Sequence, residues 1–542
     1  MQEPDLSDRL ISDTPDPAST PDSSEGGRRG RRSGGRAGNT RRSGSGGARF
    51  DQAAWRVPEN PDAPTEPLTA EGVQAVHNGA MRILEDIGID FLNDDALKIL
   101  HKAGCTVDFD TKTVRMGRDF VMEMVGHAPE TFAMTPRNPT REVTVGGKHM
   151  LFLNVGSPPN YSNLDEGRHP GNHRAYQDLV KLTQTFNCIH LASGYPVEPV
   201  DIHASIRHLD CIFDKLTLTD KVVHIYSLGS ERVEDGLEMV RIASGLSQDE
   251  FDARPRMYTN INSSSPLKHD WPMLDGAMRL ARRGQPVMIT PFTLAGAMAP
   301  VTMIGAVTQS VAEGLAAVAL LQYINPGTPV VYGSFTSNVD MKSGAPAFGT
   351  PEFIRATQMS GQMARFYGLP FRSSNATAAN SPDPQATWET AFSMWANITS
   401  RANVIYHAAG WLEGGLCASY EKFVMDCEML QQMIYYMQPV TVNDDEIAVE
   451  AIREVGPHGH FFGTPHTQER YETAFYAPFM SDWRNFEAWT EGGAPTALDH
   501  AHRIWKQILA DYQPPPMDGA IREELETFVA RRKEEGGAPT DF

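Results

Sequence analysis

The sequence predicts an α/β chain built around a (β/α)8 TIM barrel, and two observations carry this prediction. Short β-rich runs alternate with amphipathic helical segments at spacings of roughly 30 to 45 residues, which indicates parallel strands joined by helical crossovers. No Gly-x-Gly-x-x-Gly follows any of the runs, so nothing favours an open dinucleotide-binding sheet. A closed barrel is the most economical arrangement of such units.

Eight short segments are predicted as the barrel strands. They are "LFLNVG" (151–156), "HLASGYPV" (190–197), "KVVHIYSLG" (221–229), "RMYTNINSSSPL" (256–267), "PVMITPFTL" (286–294), "PVVYGSFTSNVD" (329–340), "PFRSSNATAAN" (370–380) and "NVIYHAAGW" (403–411). The helices between them are expected to carry apolar stripes at helical spacing. Two such stripes are Trp388, Ala391, Trp395 and Ile398, and Phe423, Cys427, Leu430, Ile434 and Met437.

The chain divides into four predicted segments. Residues 1–65 form an Arg/Gly/Ser-rich tail, expected to be disordered because much of it lacks the apolar residues that would offset its ordering entropy. Residues 66–150 form an N-terminal helical and β extension, 151–440 the barrel, and 441–542 a C-terminal helical wrap packed on the barrel. The arginines of "GGRRGRRSGGRAGNTRRSGSGG" (26–47) have no aromatic residues interleaved for bases to stack on.

Charge and cysteine usage narrow the class of protein. The formal net charge of −20 argues against nucleic acid or an anionic membrane surface as partner. Five scattered cysteines without a Cys-x-x-Cys pair predict a reduced, cytoplasmic protein. The long uncharged stretch 284–312 contains Pro286, Pro291 and Pro300, so it is predicted as strand, loop and helix and not as a membrane span.

Polar and aromatic residues collect at the carboxyl ends of the predicted strands, where barrels of this kind carry their reactive groups. Any one of them alone is as easily a cap or turn residue, but together they predict a binding site. They are Asn260, Asn262, Ser263, Thr290, Thr293, Phe335, Ser337, Asp340, Asn375, Thr377, Asn380, His407, Trp411 and Glu413.

Aromatic residues suggest what that site binds. Tyr161, Phe335 and Trp411 offer π faces with few basic residues nearby, which suits a quaternary ammonium held by ring quadrupoles. Aromatic residues are also common in cores, so composition alone decides little.

Six separated segments carry a family resemblance. They are 68–108, "NINSSSPLKHD", "LAGAMAPVTMIGAVTQSVAEGLA", "SNVDMKSGAPAFGTPEF", "IYHAAGWLEGGLCASYEKFVMDCEM" and "HGHFFGTPHTQERY". Together they resemble the trimethylamine methyltransferase (MttB-like) family over residues 66–525 or so. The resemblance implies a TIM barrel that passes a methyl group from a methylated amine to the Co(I) of a separate corrinoid protein. It implies no tightly bound cofactor and no metal in the chain itself.

The resemblance also implies a substrate class. Founding members of the family carry pyrrolysine in the segment written here as "TAANSPDPQATWE", where Asn380 stands in its place. The chain therefore resembles the branch that lacks pyrrolysine and demethylates glycine betaine and related quaternary amines. A quaternary ammonium already has the positive charge that makes its nitrogen a good leaving group. Trimethylamine or another tertiary amine remains the alternative donor.

Within this resemblance the strand-end residues receive roles. His407 is expected near the docked cobalt as the catalytic group, contacting the corrin face or its axial water, with a structural histidine as the alternative. Tyr161 lies in a segment where the family places substrate contacts, and with Phe335 and Trp411 it is a cage candidate. Asn380 is a possible donor to a betaine carboxylate. Glu413 either balances the ammonium charge or caps the next helix.

Other functions stay open on sequence alone. A metal-dependent barrel hydrolase would use His407, Asp340 and Glu413, and a noncatalytic amine-binding protein would keep the aromatic cage alone. His458, His460 and His466 have a zinc-like spacing, but they lie beyond the barrel strands. A homo-oligomer is possible, and neither the exact amine nor the corrinoid partner follows from the sequence.

Overall fold

The computed structural model describes Phe50 and residues 52–540, so the predicted disorder of residues 1–49 falls outside the described part. For residues 52–65 that prediction is wrong. Trp55 packs against the interior of the barrel, and Asn60, 1% exposed, donates from Nδ2 to the Ile398 carbonyl at 2.8 Å. The Thr65 amide donates to the Thr399 carbonyl at 2.7 Å. Backbone and aromatic contacts of this segment compensate for its polar composition.

Eight parallel strands form a closed barrel, as predicted. Each strand pairs with the next in chain order, and β8 pairs with β1 to close the ring. The strands are β1 (Leu151–Asn154), β2 (Leu191–Ala192), β3 (Val222–His224), β4 (Met257–Ile261), β5 (Val287–Ile289), β6 (Val330–Gly333), β7 (Phe371–Ser374) and β8 (Val404–Ala409).

A helix follows each strand and covers the outside of the barrel. These helices are His173–Thr185, Arg207–Leu218, Ser230–Ser244, Trp271–Arg282, Met303–Ile324, Pro351–Phe366, Pro384–Ser400 and Tyr420–Tyr436, with a short helix Gln248–Asp252 after the third. Met303–Ile324 is long and apolar enough to cross a membrane, but 83% of its most apolar window is buried inside the protein. Its apolarity is explained by packing between the barrel and the N-terminal extension.

The N-terminal extension packs on helix Met303–Ile324 and closes one end of the barrel. Its elements are the helices Ala70–Arg82, Ile83–Ile87, Asp94–Lys102 and Arg118–Val125, and the strands Ile89–Phe91, Thr106–Asp108, Thr113–Arg115, Thr131–Met134 and Val143–Gly146. The last two strands form a hairpin. Met134, Val143 and Val145 from this hairpin join Leu153 and Met288 of the barrel interior in one apolar cluster, which closes the amino-terminal end of the barrel.

Short strands in the loops extend the opposite, carboxyl-terminal end. They are Asn160–Asn163, Gly167–Pro170, Lys268–His269, Leu294–Ala295, Ser337–Val339, Pro346–Ala347, Trp411–Leu412 and Cys417–Ser419. Strands from the β1 and β8 loops form one four-stranded sheet, in which Ala418 pairs with Tyr161. The loops after the first and last barrel strands therefore support each other.

The predicted apolar stripe of helix Pro384–Ser400 is only partly buried: Ile398 is buried, but the two tryptophans are exposed. Trp388 and Trp395 are 52% and 43% exposed, whereas Ser393 and Asn397 are fully buried. The buried residues hydrogen-bond the end of β7: Ser393 Oγ donates to the Ala376 carbonyl, and Asn397 Nδ2 donates to the Ser374 carbonyl, both at 2.8 Å. The polar face turns inward because it satisfies the backbone of the loop after β7. By contrast, the predicted stripe of helix Tyr420–Tyr436 is buried as expected.

The C-terminal segment wraps the barrel helices. Its helices are Asp444–Ile447, Val449–Val455, Pro465–Arg470, Phe486–Glu491, Ala497–Asp511 and Gly519–Glu534. Ala497–Asp511 lies on helices His173–Thr185 and Tyr420–Tyr436. Buried Glu421 holds it there, accepting from Trp505 Nε1 at 2.9 Å and pairing with His502 Nδ1 at 2.8 Å.

Replacing Glu421 should release this part of the wrap. In Glu421→Ala the indole N–H of Trp505 and the Leu164 amide lose their buried acceptor, which costs roughly 2–4 kcal/mol. Hydrogen exchange by mass spectrometry should show faster opening of helix Ala497–Asp511, with the barrel strands unchanged. Glu523→Ala, on the exposed face of the last helix, is the matched control. Equal exchange in both variants would contradict the assignment.

Candidate active site

His407 lies at a distortion near the end of β8. The register against β1 shifts between Ile405 and Ala409, and His407 itself has φ +57°, an uncommon conformation for a residue other than glycine. Such local strain is typical of functional sites. The bulge sets the imidazole against the β1 loop, where the Gly156 amide donates to its Nδ1 at 3.2 Å.

This hydrogen bond fixes the state of the imidazole. Because Nδ1 accepts, Nε2 carries the hydrogen. Burial, and then the positive charge of Arg372, holds the pKa of His407 well below 6.5. The ring is thus a neutral N–H donor at the carboxyl-terminal end of the barrel.

Two other rings stand around His407. The centroid of Trp411 is 4.0 Å from that of His407, and the Phe335 centroid is 6.2 Å from each. We call Phe335, His407 and Trp411 the aromatic cluster. Gly415, at φ +106°, lies under the indole, and a Cβ there would be 2.6 Å from its Cζ2, so glycine is required. This accounts for the second glycine of "WLEGG".

The aromatic cluster has a buried floor and a partly exposed rim. His407 and Trp411 are 8% and 7% exposed, whereas Phe335 and its neighbour Phe292, 5.1 Å away between centroids, are half-buried. Phe348 stacks on Phe335 with 5.2 Å between ring centroids. A ligand would therefore meet apolar, mostly dry walls.

Arg372, on β7, lies beside the aromatic cluster. Its guanidinium is 4.2 Å from the Tyr406 ring centroid and 5.9 Å from that of Phe335. It is 3% exposed, and burial lowers its pKa to about 10. Sequence reasoning missed it. The signal was an arginine at the second position of "FRSS", inside a barrel strand that is otherwise without charge.

A buried glutamate organises the loop after β4. Glu313, on helix Met303–Ile324, is fully buried and accepts from Ser263 Oγ at 2.5 Å, Ser265 Oγ at 2.6 Å and the Leu267 amide at 2.8 Å. Ser263 is one of the predicted strand-end residues, and its hydroxyl is committed to this carboxylate. The loop is held in one arrangement by the helix of the next unit.

A second glutamate does the same for the loop after β7. Glu389, 7% exposed, accepts from the amides of Ala378 and Ala379 at 2.8 and 3.0 Å and from the Thr377 hydroxyl. This explains why helix Pro384–Ser400 turns its polar face inward. Asn380 follows this loop and is exposed.

One predicted cage residue, Tyr161, is engaged elsewhere. The Tyr161 hydroxyl donates to Glu166 at 2.9 Å and accepts from Arg174 at 3.1 Å. Among the described residues its ring contacts include Tyr420 and His169 but neither Phe335 nor Trp411. The structure thus brings together Phe335, His407 and Trp411, but not Tyr161.

Glu413 is paired with Arg168, whose Nε lies 2.9 Å from its carboxylate. The suggestion that it caps the next helix is wrong, because that helix begins at Tyr420 and is capped by Ser419. Glu413 lies in a short turn, and its amide donates to the Ala379 carbonyl at 2.9 Å, joining the β7 and β8 loops.

Neither of the two metal sites considered from the sequence, one at the barrel mouth and one at the C-terminal histidines, is formed by the described residues. Within residues 52–540 no group of three or more His, Cys, Asp or Glu side chains has metal-binding geometry. Asp340 is exposed and accepts from Ser343 in its own turn. His458, His460 and His466 are not gathered into such a group either.

Comparisons of the sequence with known proteins identify one family. Residues 31–537 match the family described as trimethylamine methyltransferase (MTTB). The chain is 36% identical over 471 residues to glycine betaine methyltransferase of Desulfitobacterium hafniense strain Y51, covering 87% of this chain and 98% of that protein. It is 29% identical over 473 residues to trimethylamine methyltransferase MttB of strain DSM 10664 / DCB-2, covering 86% and 94%.

Among solved structures, the chain is similar in fold to the monomethylamine methyltransferase MtmB of Methanosarcina barkeri. Its TM-score is 0.44 at 12% identity, over 86% of this chain and 95% of that chain.

His407 should stay neutral across the physiological pH range. Since its folded pKa lies below 6.5, the unfolded chain takes the proton first, and this residue lowers folded stability only as the pH falls below about 6.5. Nitrogen-15 NMR of histidine-labelled protein, with the His407 signal assigned by its loss in His407→Gln, should report the Nε2–H tautomer from pH 8 to 6. A titration midpoint near 6.5 would contradict the burial argument.

Proposed function

We propose, because the chain belongs to the trimethylamine methyltransferase family, that it moves a methyl group from a quaternary amine such as glycine betaine to the Co(I) of a separate corrinoid protein. The aromatic cluster is the single observation that supports a quaternary amine as the methyl donor. Three rings pack together at the carboxyl-terminal end of the barrel, two of them buried, and the only titratable ring among them is neutral. Such walls favour a cation that has no N–H to donate.

The chemistry asks little of acid or base groups. The reduced cobalt of the partner supplies the electron pair that forms the new bond to the methyl carbon. The pair of the breaking C–N bond stays on nitrogen, so the quaternary ammonium leaves as a neutral tertiary amine and no proton moves. The chain then contributes positioning and exclusion of water, and the buried aromatic walls suit both tasks.

His407 is proposed as the polar group of the site. Its Nε2–H has no hydrogen-bond partner among the described residues, and its ring centroid lies 4.0 Å from that of Trp411 and 6.2 Å from that of Phe335. From there it can contact the docked corrin or its axial water. Its neutral state also avoids repulsion with the bound ammonium, which an imidazolium at 4.0 Å from Trp411 would impose.

The remaining predicted contacts take different places in this proposal. Tyr161 and Glu413 are assigned to holding the loops, because their polar atoms are bound to Arg174 and Arg168. Asn380 stays a predicted contact in the exposed loop after β7. The alternative hypothesis, a noncatalytic amine-binding protein, is tested by the transfer assay below.

Cytoplasmic location, a corrinoid protein as partner and self-association stay predictions. The net charge of −20 supports the expectation that neither nucleic acid nor an anionic membrane is a partner. The exposed aromatic face of helix Pro384–Ser400 supports the expectation of a homo-oligomer. Light scattering of the purified full chain would measure its mass.

Methyl transfer is tested directly with the purified chain, enzymatically or chemically reduced cob(I)alamin and glycine betaine. The visible spectrum should change from Co(I) to methyl-Co(III), and dimethylglycine should appear in equal amount. Trimethylamine, which lacks the fixed positive charge, should give no change. If trimethylamine donates a methyl group and no quaternary amine does, the proposed substrate class is wrong. If no amine donates a methyl group, the chain is a noncatalytic amine-binding protein.

Trp411 should contribute to substrate affinity through a cation–π contact with the ammonium group. In Trp411→Leu, kcat/KM for the quaternary amine should fall about 5- to 30-fold, the value of a desolvated cation–π contact. Inhibition by 3,3-dimethylbutyrate, in which an uncharged tert-butyl group replaces the trimethylammonium of glycine betaine, should weaken less than inhibition by a quaternary ammonium competitor. Trp483→Leu, at a site 75% exposed, is the control. Equal loss for both inhibitors would assign Trp411 to packing alone.

A further inference from the structure

We infer that Arg372 is the carboxylate-binding residue of this site, and that the methyl donor is a zwitterion carrying a carboxylate next to its quaternary ammonium. This inference rests on the proposed function, which needs only the ammonium. It adds a specificity residue on β7 and narrows the substrate class to betaines.

The first argument is that the Arg372 side chain has cation–π contacts but no hydrogen-bond or ion-pair partner within the described chain. Its Nε and Nη1 are buried and make no hydrogen bond, and no described carboxylate lies within ion-pair distance. A guanidinium has five N–H donors and keeps its charge, so an isolated one at 3% exposure is costly. A bound carboxylate would satisfy both the charge and the orphaned donors, and bidentate pairing is the geometry that arginine favours.

The second argument is that acids of the loops and helices at this end of the barrel are committed to other groups, and none is among the groups that shift the pKa of Arg372. Glu413 pairs with Arg168, and Asp426 accepts from Lys422 Nζ at 2.7 Å and from the Gly410 amide at 2.8 Å. The Glu313 and Glu389 carboxylates each accept several loop donors. No described acid therefore balances the charge of Arg372, and a ligand carboxylate would do so.

The third argument is placement. The guanidinium lies against the Tyr406 ring and 5.9 Å from Phe335, which is itself a wall of the aromatic cluster. In a betaine two covalent bonds separate the nitrogen from the carboxylate carbon, a span of about 2.5 Å by standard bond lengths and angles. A carboxylate on Arg372 thus brings the ammonium next to Phe335, His407 and Trp411. Arg372 would select betaines in two ways: it attracts their carboxylate, and it repels a cation that has no carboxylate.

The test compares ligands that differ only in the carboxylate. Calorimetric binding to the full chain, without corrinoid, uses glycine betaine, its methyl ester and tetramethylammonium. The wild type should bind glycine betaine at least about 30-fold more tightly than the other two, as expected for a desolvated charge pair. This comparison needs no variant, so it holds even if Arg372 variants fold poorly. Equal affinity for all three would overturn the inference.

Variants then assign the effect to the residue. Arg372→Gln should lose about 30-fold or more in glycine betaine affinity and bind tetramethylammonium equally or more tightly, and Arg372→Lys should recover part of the loss. Arg279→Gln, whose partners are Asp275 and Glu234 on the outer helices, is the matched control. Parallel losses for both ligands in Arg372→Gln would overturn the assignment and show a structural role.

The outcomes separate this inference from the proposed function. Methyl transfer that is equally efficient from tetramethylammonium and glycine betaine would support the function and overturn the role of Arg372. Carboxylate-dependent binding without methyl transfer to cob(I)alamin would support the Arg372 site and count against the function.

Discussion

The pairing of β8 with β1 is the constraint on which the site depends. Closing the barrel fixes Val404 opposite Leu151 and Ile405 opposite Phe152, and the ladder then slips before Ala409. The slip lets His407 take a left-handed conformation and receive the Gly156 amide. A closed ring allows such a bulge because the seven other strand pairings hold the strand ends in place.

Buried polar groups then fix the loops that stand on this ring. Glu313 and Glu389 belong to helices that follow β5 and β7, and each collects the backbone and hydroxyl donors of a neighbouring loop. Fully satisfied networks of this kind specify one arrangement, at the cost of apolar burial in the helix that supplies them. Helix Pro384–Ser400 illustrates the cost, since it exposes Trp388 and Trp395 in order to bury Glu389 and Asn397.

Arg372 differs from these groups because its donors are not satisfied inside the chain. Within the described residues, its Nε and Nη1 are buried without hydrogen bonds and its guanidinium lies 5.9 Å from the Phe335 ring centroid. Stability alone gives no reason to keep an uncompensated charge there, whereas a ligand carboxylate does. The aromatic cluster and the arginine together match the two opposite charges of a zwitterion.

The sequence by itself determined the eight strands, the helices between them and the strand-end location of Phe335, His407 and Trp411, because these depend on local periodicity and on chain order. It did not determine which strand-end residues meet. Tyr161 and Glu413 lie in the loops after β1 and β8, as predicted from the sequence. Their polar atoms are bound by Arg174 and Arg168, which both follow β1 in the chain. Likewise, the inward polar face of helix Pro384–Ser400 and the lone charge of Arg372 depend on which backbone groups and acids lie across the barrel. Only the tertiary structure brings those residues together, since hydrogen bonds and ion pairs between distant segments leave no period in the sequence.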